Sequence, residues 1–171
     1  MIDVTVTDTV FELSKHDKAE IDAWVAQYPL EHKRSAVIPA LHIAQKANGG
    51  WLSEEAMKAV ADYLGLPQIQ VFEVATFYSM FELSPVGKHK LCVCTNVSCM
   101  LSGSDEIVEH LKKRLKINLG ETTDDNKFTL KEVECLGACV NAPVLQLGHQ
   151  FHEKLTPEKI DALLAELETR S

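Results

Sequence analysis

The chain contains five cysteines, at positions 92, 94, 99, 135 and 139, and its first ninety-one residues contain none. Cys94 and Cys99 are separated by four residues and Cys135 and Cys139 by three, with thirty-five residues between the pairs. In a reducing compartment structural disulfides are rare, so spaced cysteines point to metal or redox chemistry. A fold that uses these thiols must bring two distant loops to one place.

Composition removes several classes of function. With 171 residues, 46% apolar and 25% charged, the chain has material for one ordinary domain or two small ones. Its net charge is −8, and the densest basic stretch, Lys112, Lys113, Arg114 and Lys116, is broken by apolar residues at helical spacing. A general nucleic-acid binder needs a basic stripe that neutralises phosphates, so no nucleic-acid partner is expected. No run approaches the roughly 20 apolar residues of a membrane span. The opening residues, Met1 to Asp8, lack the basic region and apolar stretch of a secretory signal. A cytosolic, soluble protein without direct membrane insertion is expected. Gly-x-Gly-x-x-Gly, phosphate-loop and Gly-x-Ser-x-Gly patterns are all missing, so the chain itself shows no site for nicotinamide, flavin or nucleotide.

Periodicity divides the chain into residues 1–84 and 85–171. In the first part Ile21, Trp24, Val25 and Tyr28 predict an amphipathic helix from Asp17 that closes at Tyr28-Pro29. Val37, Ala40, Leu41 and Ala44 mark a second helix from about Ser35, ended by Asn48-Gly49-Gly50. Ser53 caps a third, with Met57, Val60, Ala61 and Leu64 inward. Pro67 opens a fourth, with Val71, Val74, Ala75 and Tyr78 on its face and Phe77 and Phe81 beside them as core. This is a small helical bundle. Ser84 to Lys88 is a plausible hinge. Beyond it, Lys90–Thr95 and Phe128–Glu134 predict strands, and Val144–Leu147 with Gln150–His152 a hairpin around Gly148-His149. One helix opens near Ser102 or Ser104, and another follows Thr156-Pro157. The fold class is α+β, a helical bundle followed by a compact α/β domain of the thioredoxin type. The first part carries a net charge of −6 and the second −2.

Each cysteine pair follows a predicted strand, and adjacent strands would deliver both loops to one end of the sheet. Four thiolates from two such loops can hold a [2Fe–2S] cluster, each iron taking two. Cys135-Leu136-Gly137-Ala138-Cys139 sets small residues between ligands, where backbone N–H groups can face the sulfurs. The helix after Cys99 would offer its positive end to a nearby thiolate. Such a centre carries a formal charge of about −2, and about −3 once reduced, which in an acidic protein favours a low potential. A Cys₄ zinc site is the main alternative, although its pairs are usually closer. A dithiol reductase would need Cys-x-x-Cys, which is absent, and a Rieske centre needs histidines within the ligand loops. Cys92 shares a strand face with Cys94 and is expected to be a small buried residue. His149 and His152 are expected at the surface, and His42 in packing.

Cys94-Thr95-Asn96-Val97-Ser98-Cys99-Met100-Leu101 with Glu134-Cys135-Leu136-Gly137-Ala138-Cys139 resembles the E-type [2Fe–2S] subunit family of bacterial NADH:quinone oxidoreductase, complex I, the 24 kDa subunit of mitochondria. Gly50-Trp51-Leu52-Ser53, Ala75-Thr76-Phe77-Tyr78-Ser79-Met80-Phe81 and Asn141-Ala142-Pro143-Val144 extend the likeness to most of the chain, from about Ser14 to Leu167. Asn96-Val97-Ser98 departs from a common Thr-Thr-Pro pattern, and Cys92 is additional. The resemblance implies a thioredoxin-like ferredoxin domain behind a helical domain, with Cys94, Cys99, Cys135 and Cys139 as ligands of one [2Fe–2S] cluster. It also implies a heterodimer with a flavoprotein subunit that carries FMN and NADH, next to the larger iron–sulfur subunit of the peripheral arm. Electrons would pass singly between flavin and cluster, at the cytoplasmic face of the inner membrane in the hydrophilic arm. The same module serves NAD-linked hydrogenases and formate dehydrogenases. The acidic helical domain, with its apolar faces, is expected to supply much of the docking surface.

Overall fold

The structure, a computed structural model, describes residues 11–169. The opening segment read above as lacking a secretory signal lies outside them. The chain forms two compact units, Met1–Pro85 and Val86–Ser171.

Among the described residues, the first unit is built from the α-helices α1 (Lys15–Val25), α2 (Val37–Ala47), α3 (Glu54–Leu64) and α4 (Gln68–Phe77). Helix α1 starts two residues before the expected Asp17 because Ser14 and Asp17 form a capping box. The Asp17 N–H donates to Ser14 Oγ at 3.1 Å, and the Ser14 N–H donates to the Asp17 carboxylate at 2.9 Å. It ends at Val25, short of Tyr28, and a 3-10 segment at Leu30–Ala36, absent from the sequence reading, leads into α2. Pro39 falls in the first turn of α2, where its missing N–H has no helical partner to lose. Ser53 caps α3 as expected, accepting from the Ala56 N–H at 3.1 Å. Pro67 is the residue before α4 rather than its first member. Ile21, Val37, Leu41, Leu52, Val60 and Val71 are buried at the centre of this bundle.

Three aromatic positions of the expected helices are exposed rather than core, Tyr78 at 40% among them. Trp24 is 41% exposed and Phe77 is 79% exposed, whereas Phe81 is buried and lies 4.9 Å, ring to ring, from the exposed His42. Phe77 sits at the last turn of α4, where the 3.6-residue period carries it off the inward stripe held by Val71 and Ala75.

The second unit holds strands β1 (His89–Cys94), β2 (Phe128–Val133), β3 (Leu145–Leu147) and β4 (Gln150–His152), in the order β2-β1-β3-β4. It also holds helices α5 (Val97–Leu101), α6 (Ser104–Leu115) and α7 (Pro157–Thr169). β1 and β2 run parallel, with Leu91 opposite Leu130 and Cys94 opposite Val133. β3 is antiparallel to β1, and β4 to β3. A parallel neighbour needs a crossover, and α6 lies on it. Alternation along β1 sends Leu91 and Val93 to the face where Ile107 and Leu111 of α6 and Ile160 and Leu164 of α7 pack. Cys92 and Cys94 occupy the opposite face. The helices are linked at one carboxylate: Asp161 Oδ1 lies 2.9 Å from His110 Nε2 and 2.8 Å from Arg114 Nε.

The segment read as a hinge is anchored at its glycine. The Gly87 N–H donates to Thr129 Oγ1 at 2.6 Å, and both residues are buried. A Cβ at Gly87 would lie 2.8 Å from the Phe128 carbonyl carbon and 2.9 Å from Phe128 N. Glycine is required for this close approach to backbone rather than for flexibility. Gly87→Ala is expected to destabilise the second unit by about 1–3 kcal/mol, measured as a lower urea midpoint with an unchanged slope.

Asp161 gives a pH signature. The hydrogen bond from His110, then the charge of Arg114, hold its carboxyl below the usual carboxylate range. A depressed value stabilises the folded state above the ordinary carboxylate range and is lost as pH falls through the depressed value. Asp161→Asn is therefore expected to lower the urea midpoint at pH 7 and to match the parent chain in strong acid, a comparison two denaturation series settle.

Candidate metal centre

β1 ends at Cys94, and its partner β2 ends two residues before Cys135. Because the strands are parallel and in register, both cysteine loops leave the sheet at the same edge. From Cys94 the chain enters α5, opened by Asn96, and Cys99 lies inside that short helix rather than in a loop before α6. Gly103, at φ +94°, separates α5 from α6. The expected arrangement, in which the helix after Cys99 offers its N-terminus to the thiol, is therefore corrected: Cys99 has a turn of its own.

The four thiols stand as two pairs. Cys94 and Cys99 are each 2% exposed and hydrogen-bond one another. Burial first, then the hydrogen bond with Cys94, pushes the Cys99 thiol up to about 11, with a smaller contribution from the nearby Cys139 sulfur. Val144 opposes this. Its N–H hydrogen-bonds the Cys99 sulfur, and its carbonyl accepts the Cys94 N–H at 3.1 Å. The peptide bond before Pro143 is cis. Cys135 and Cys139 are exposed, with their sulfurs 3.9 Å apart. Gly137, at φ +77°, turns the loop so that its N–H reaches Cys135 Sγ at 3.4 Å. A left-handed φ is strained for any residue with a Cβ, which explains the glycine between the two cysteines.

None of the five cysteines forms a disulfide. Cys92 is 8% exposed, the small buried residue the strand pattern implies. Among the described residues, no three His, Cys, Asp or Glu side chains converge closely enough to hold a single ion. His149 is exposed, whereas His152 is partly buried with its Nε2 lacking a hydrogen-bond partner, unlike the surface position expected for it.

Three hydrogen bonds escaped the sequence reading. Asn96 Nδ2 donates to Glu134 Oε2 at 2.6 Å and so ties the loop of the first pair to the residue preceding the second. Asn141 Nδ2 donates to Glu153 Oε2 at 2.8 Å, and the Lys154 N–H donates to the Asn141 carbonyl at 2.8 Å, which fastens the Cys139 loop to the segment before α7. The only signal available was position. Asn96 and Glu134 flank ligand candidates, but nothing in their identities says that they meet.

The site is rimmed by apolar side chains. Val97, Met100 and Leu101 on α5 are 63%, 45% and 79% exposed, and Val140, next to Cys139, is 95% exposed. Among the described residues, no helix is long and apolar enough to cross a membrane.

Residues 21–168 match the family model described as thioredoxin-like [2Fe–2S] ferredoxin. The chain is 48% identical over 159 residues to the E-type subunit of NADH-quinone oxidoreductase from Rickettsia bellii (strain RML369-C), covering 93% of this chain and 95% of the relative. It is 45% identical over 159 residues to the mitochondrial NADH dehydrogenase [ubiquinone] flavoprotein 2 of Dictyostelium discoideum, covering 93% of this chain and 64% of that protein. Among solved structures, an NAD+-reducing [NiFe]-hydrogenase in its H2-reduced state superposes on 79% of this chain with a TM-score of 0.70 at 22% identity. The chain spans 22% of that hydrogenase chain, and the likeness is one of fold.

Proposed function

The chain belongs to the thioredoxin-like [2Fe–2S] ferredoxin family, in the branch of the E-type subunits of NADH-quinone oxidoreductase, and from that premise we propose that it is the subunit of a respiratory NADH:quinone oxidoreductase that exchanges single electrons with a flavin in a partner chain. Cys94, Cys99, Cys135 and Cys139 would hold one [2Fe–2S] cluster, which supplies a one-electron redox couple when bound. The observation that carries this is the grouping of sulfurs into two pairs, each from its own loop, at one edge of a parallel strand pair. Thiolate donors suit iron–sulfur clusters. A single tetrahedral zinc ion would instead draw all four sulfurs to about 3.8 Å from one another, given Zn–S bonds of about 2.3 Å. The Gly137 and Val144 N–H groups donate to ligand sulfurs, an arrangement that stabilises their negative charge.

The relatives' names support membership of an oxidoreductase complex, and the substrate sites would lie on its other chains. The partner would be the flavoprotein that binds NADH and FMN, beside the larger iron–sulfur subunit of the peripheral arm, on the cytoplasmic side of the membrane. The exposed Phe77, Met80 and Leu83 at the end of the first unit support its part in docking. Phe77→Ala is expected to weaken association with the flavoprotein about tenfold, or ~1.4 kcal/mol, read by calorimetric titration.

Purification of the complex from the native host tests the whole reading. The expected result is co-elution with a flavoprotein, acid-labile sulfide with iron, and a visible spectrum that bleaches with dithionite. A colourless chain that carries zinc would overturn it.

A further inference from the structure

The two cysteine pairs differ in one respect that the cluster reading does not use. Cys94 and Cys99 are buried, while Cys135 and Cys139 are exposed with sulfurs 3.9 Å apart. We propose that, in the chain before it takes up iron and sulfide, Cys135 and Cys139 are a reversible redox pair that a small-molecule disulfide closes while Cys94 and Cys99 stay reduced.

A disulfide bond is about 2.05 Å long, so the two sulfurs must approach by about 1.9 Å. Side-chain rotation at two exposed positions supplies that movement, and the loop between them offers little resistance. Gly137 already holds a positive φ, and the space around its Cα is open. Its N–H also donates to Cys135 Sγ at 3.4 Å, which orients that sulfur within the loop. Access selects the pair, because thiol–disulfide exchange needs a sulfur that the oxidant can reach.

The chemistry balances with oxidised glutathione, or any small disulfide, as oxidant. One protein thiolate attacks it, forming a mixed disulfide and releasing one small thiol. The second thiolate attacks the protein sulfur of that mixed disulfide and releases the second small thiol. One S–S bond breaks and one forms. Two electrons pass to the oxidant, and the two thiol protons leave with the released thiols. Reduction by a dithiol reverses the sequence. The pairing stands on the geometry alone. Its consequence, that the closed form cannot load a cluster, rests on the four-cysteine reading above.

The test uses the full chain, stripped of metal by a chelator with reductant, freed of both without oxygen, and treated with oxidised glutathione. Alkylation and trypsin then separate the pairs, because cleavage after Lys90, Lys112, Lys131 and Lys154 places Cys92, Cys94 and Cys99 on peptide 91–112 and Cys135 and Cys139 on peptide 132–154. Peptide 132–154 should be lighter by two hydrogens and take no alkyl group, while peptide 91–112 is alkylated at all its cysteines. The double variant Cys94→Ser/Cys99→Ser, which cannot complete the four-thiol set, should give the same light peptide. A link within peptide 91–112, persistent glutathione adducts on the parent chain, or unchanged thiols would overturn the proposal. In a second arm, the oxidised chain should take up no iron until dithiothreitol is added. Equal uptake by oxidised and reduced chains would remove the gating role. A chain that takes up no iron in either form would sink the four-cysteine reading and leave the pairing standing.

Discussion

Cys139→Ala should give a folded, colourless chain. The position is exposed, so the substitution leaves no cavity, and its effect on the fold should stay within about 0.5 kcal/mol. Its effect on the metal centre should be complete. The sulfur removed is the one that links the pairs: it lies 3.9 Å from Cys135 and also influences the buried Cys99 thiol. Cys92 cannot replace it, because that side chain is fixed on β1 and 8% exposed, whereas the vacated position lies on the outer loop. Iron and acid-labile sulfide should fall from about two of each per chain to near zero, with the far-ultraviolet circular dichroism unchanged. Electron exchange with the flavoprotein should disappear with them. Cys92→Ala is the control and should retain full iron and colour. A Cys139→Ala protein that kept its iron, or a Cys92→Ala protein that lost it, would show that the ligand set is wrong.

The second large effect concerns the sheet that carries the site. Leu91 is wholly buried in β1 and lies opposite Leu130 on one side and Leu147 on the other. Leu91→Ala removes packing atoms where β2, β3, α6 and α7 share one core, and the cost should be about 2–5 kcal/mol. Native stability is about 5–15 kcal/mol, so this variant approaches the limit of folding. Its expected signature is a large drop in urea midpoint for the second unit. The first unit, with its own core around Leu41 and Val60, should unfold as before, so the two transitions should separate. A single transition moved as a whole would contradict the independence of the two cores.

The two predictions rest on different kinds of sequence information. The cysteine spacing and the strand before each pair were both legible, because alternation of apolar residues and the position of turn-forming residues report on local backbone. From them followed only that adjacent strands would deliver both loops to one edge; that β1 and β2 are neighbours is a finding of the structure. The capping box of Ser14 and Asp17 shifted a boundary without changing a helix. What could not be read was contact. Trp24 and Phe77 fit helical stripes, yet one is 41% and the other 79% exposed, because periodicity gives a direction on a helix and not whether another element covers it. The five-residue α5 is too short for a hydrophobic period, so Cys99 was assigned to a loop. The Asn96–Glu134 bond spans 38 positions and depends on parallel register, which no local pattern encodes. Gly87 was the sharpest reversal. A glycine after Ser-Pro-Val suggested a hinge, and it proves to be a position where an added Cβ would meet backbone atoms at 2.8–2.9 Å.

The parallel pairing of β1 with β2 also fixes an order of events in time. Synthesis delivers residues at about 5–20 per second, so the second cysteine pair follows the first off the ribosome by a few seconds. During that interval Cys94 and Cys99 have no neighbouring strand β2 and no Val144 to grip them, since both lie downstream. A nascent chain at that stage thus presents one of the two proposed cysteine pairs and no more. The four-cysteine set proposed above, with the Val144 backbone that meets the first pair, is complete only once the chain has been made as far as β3.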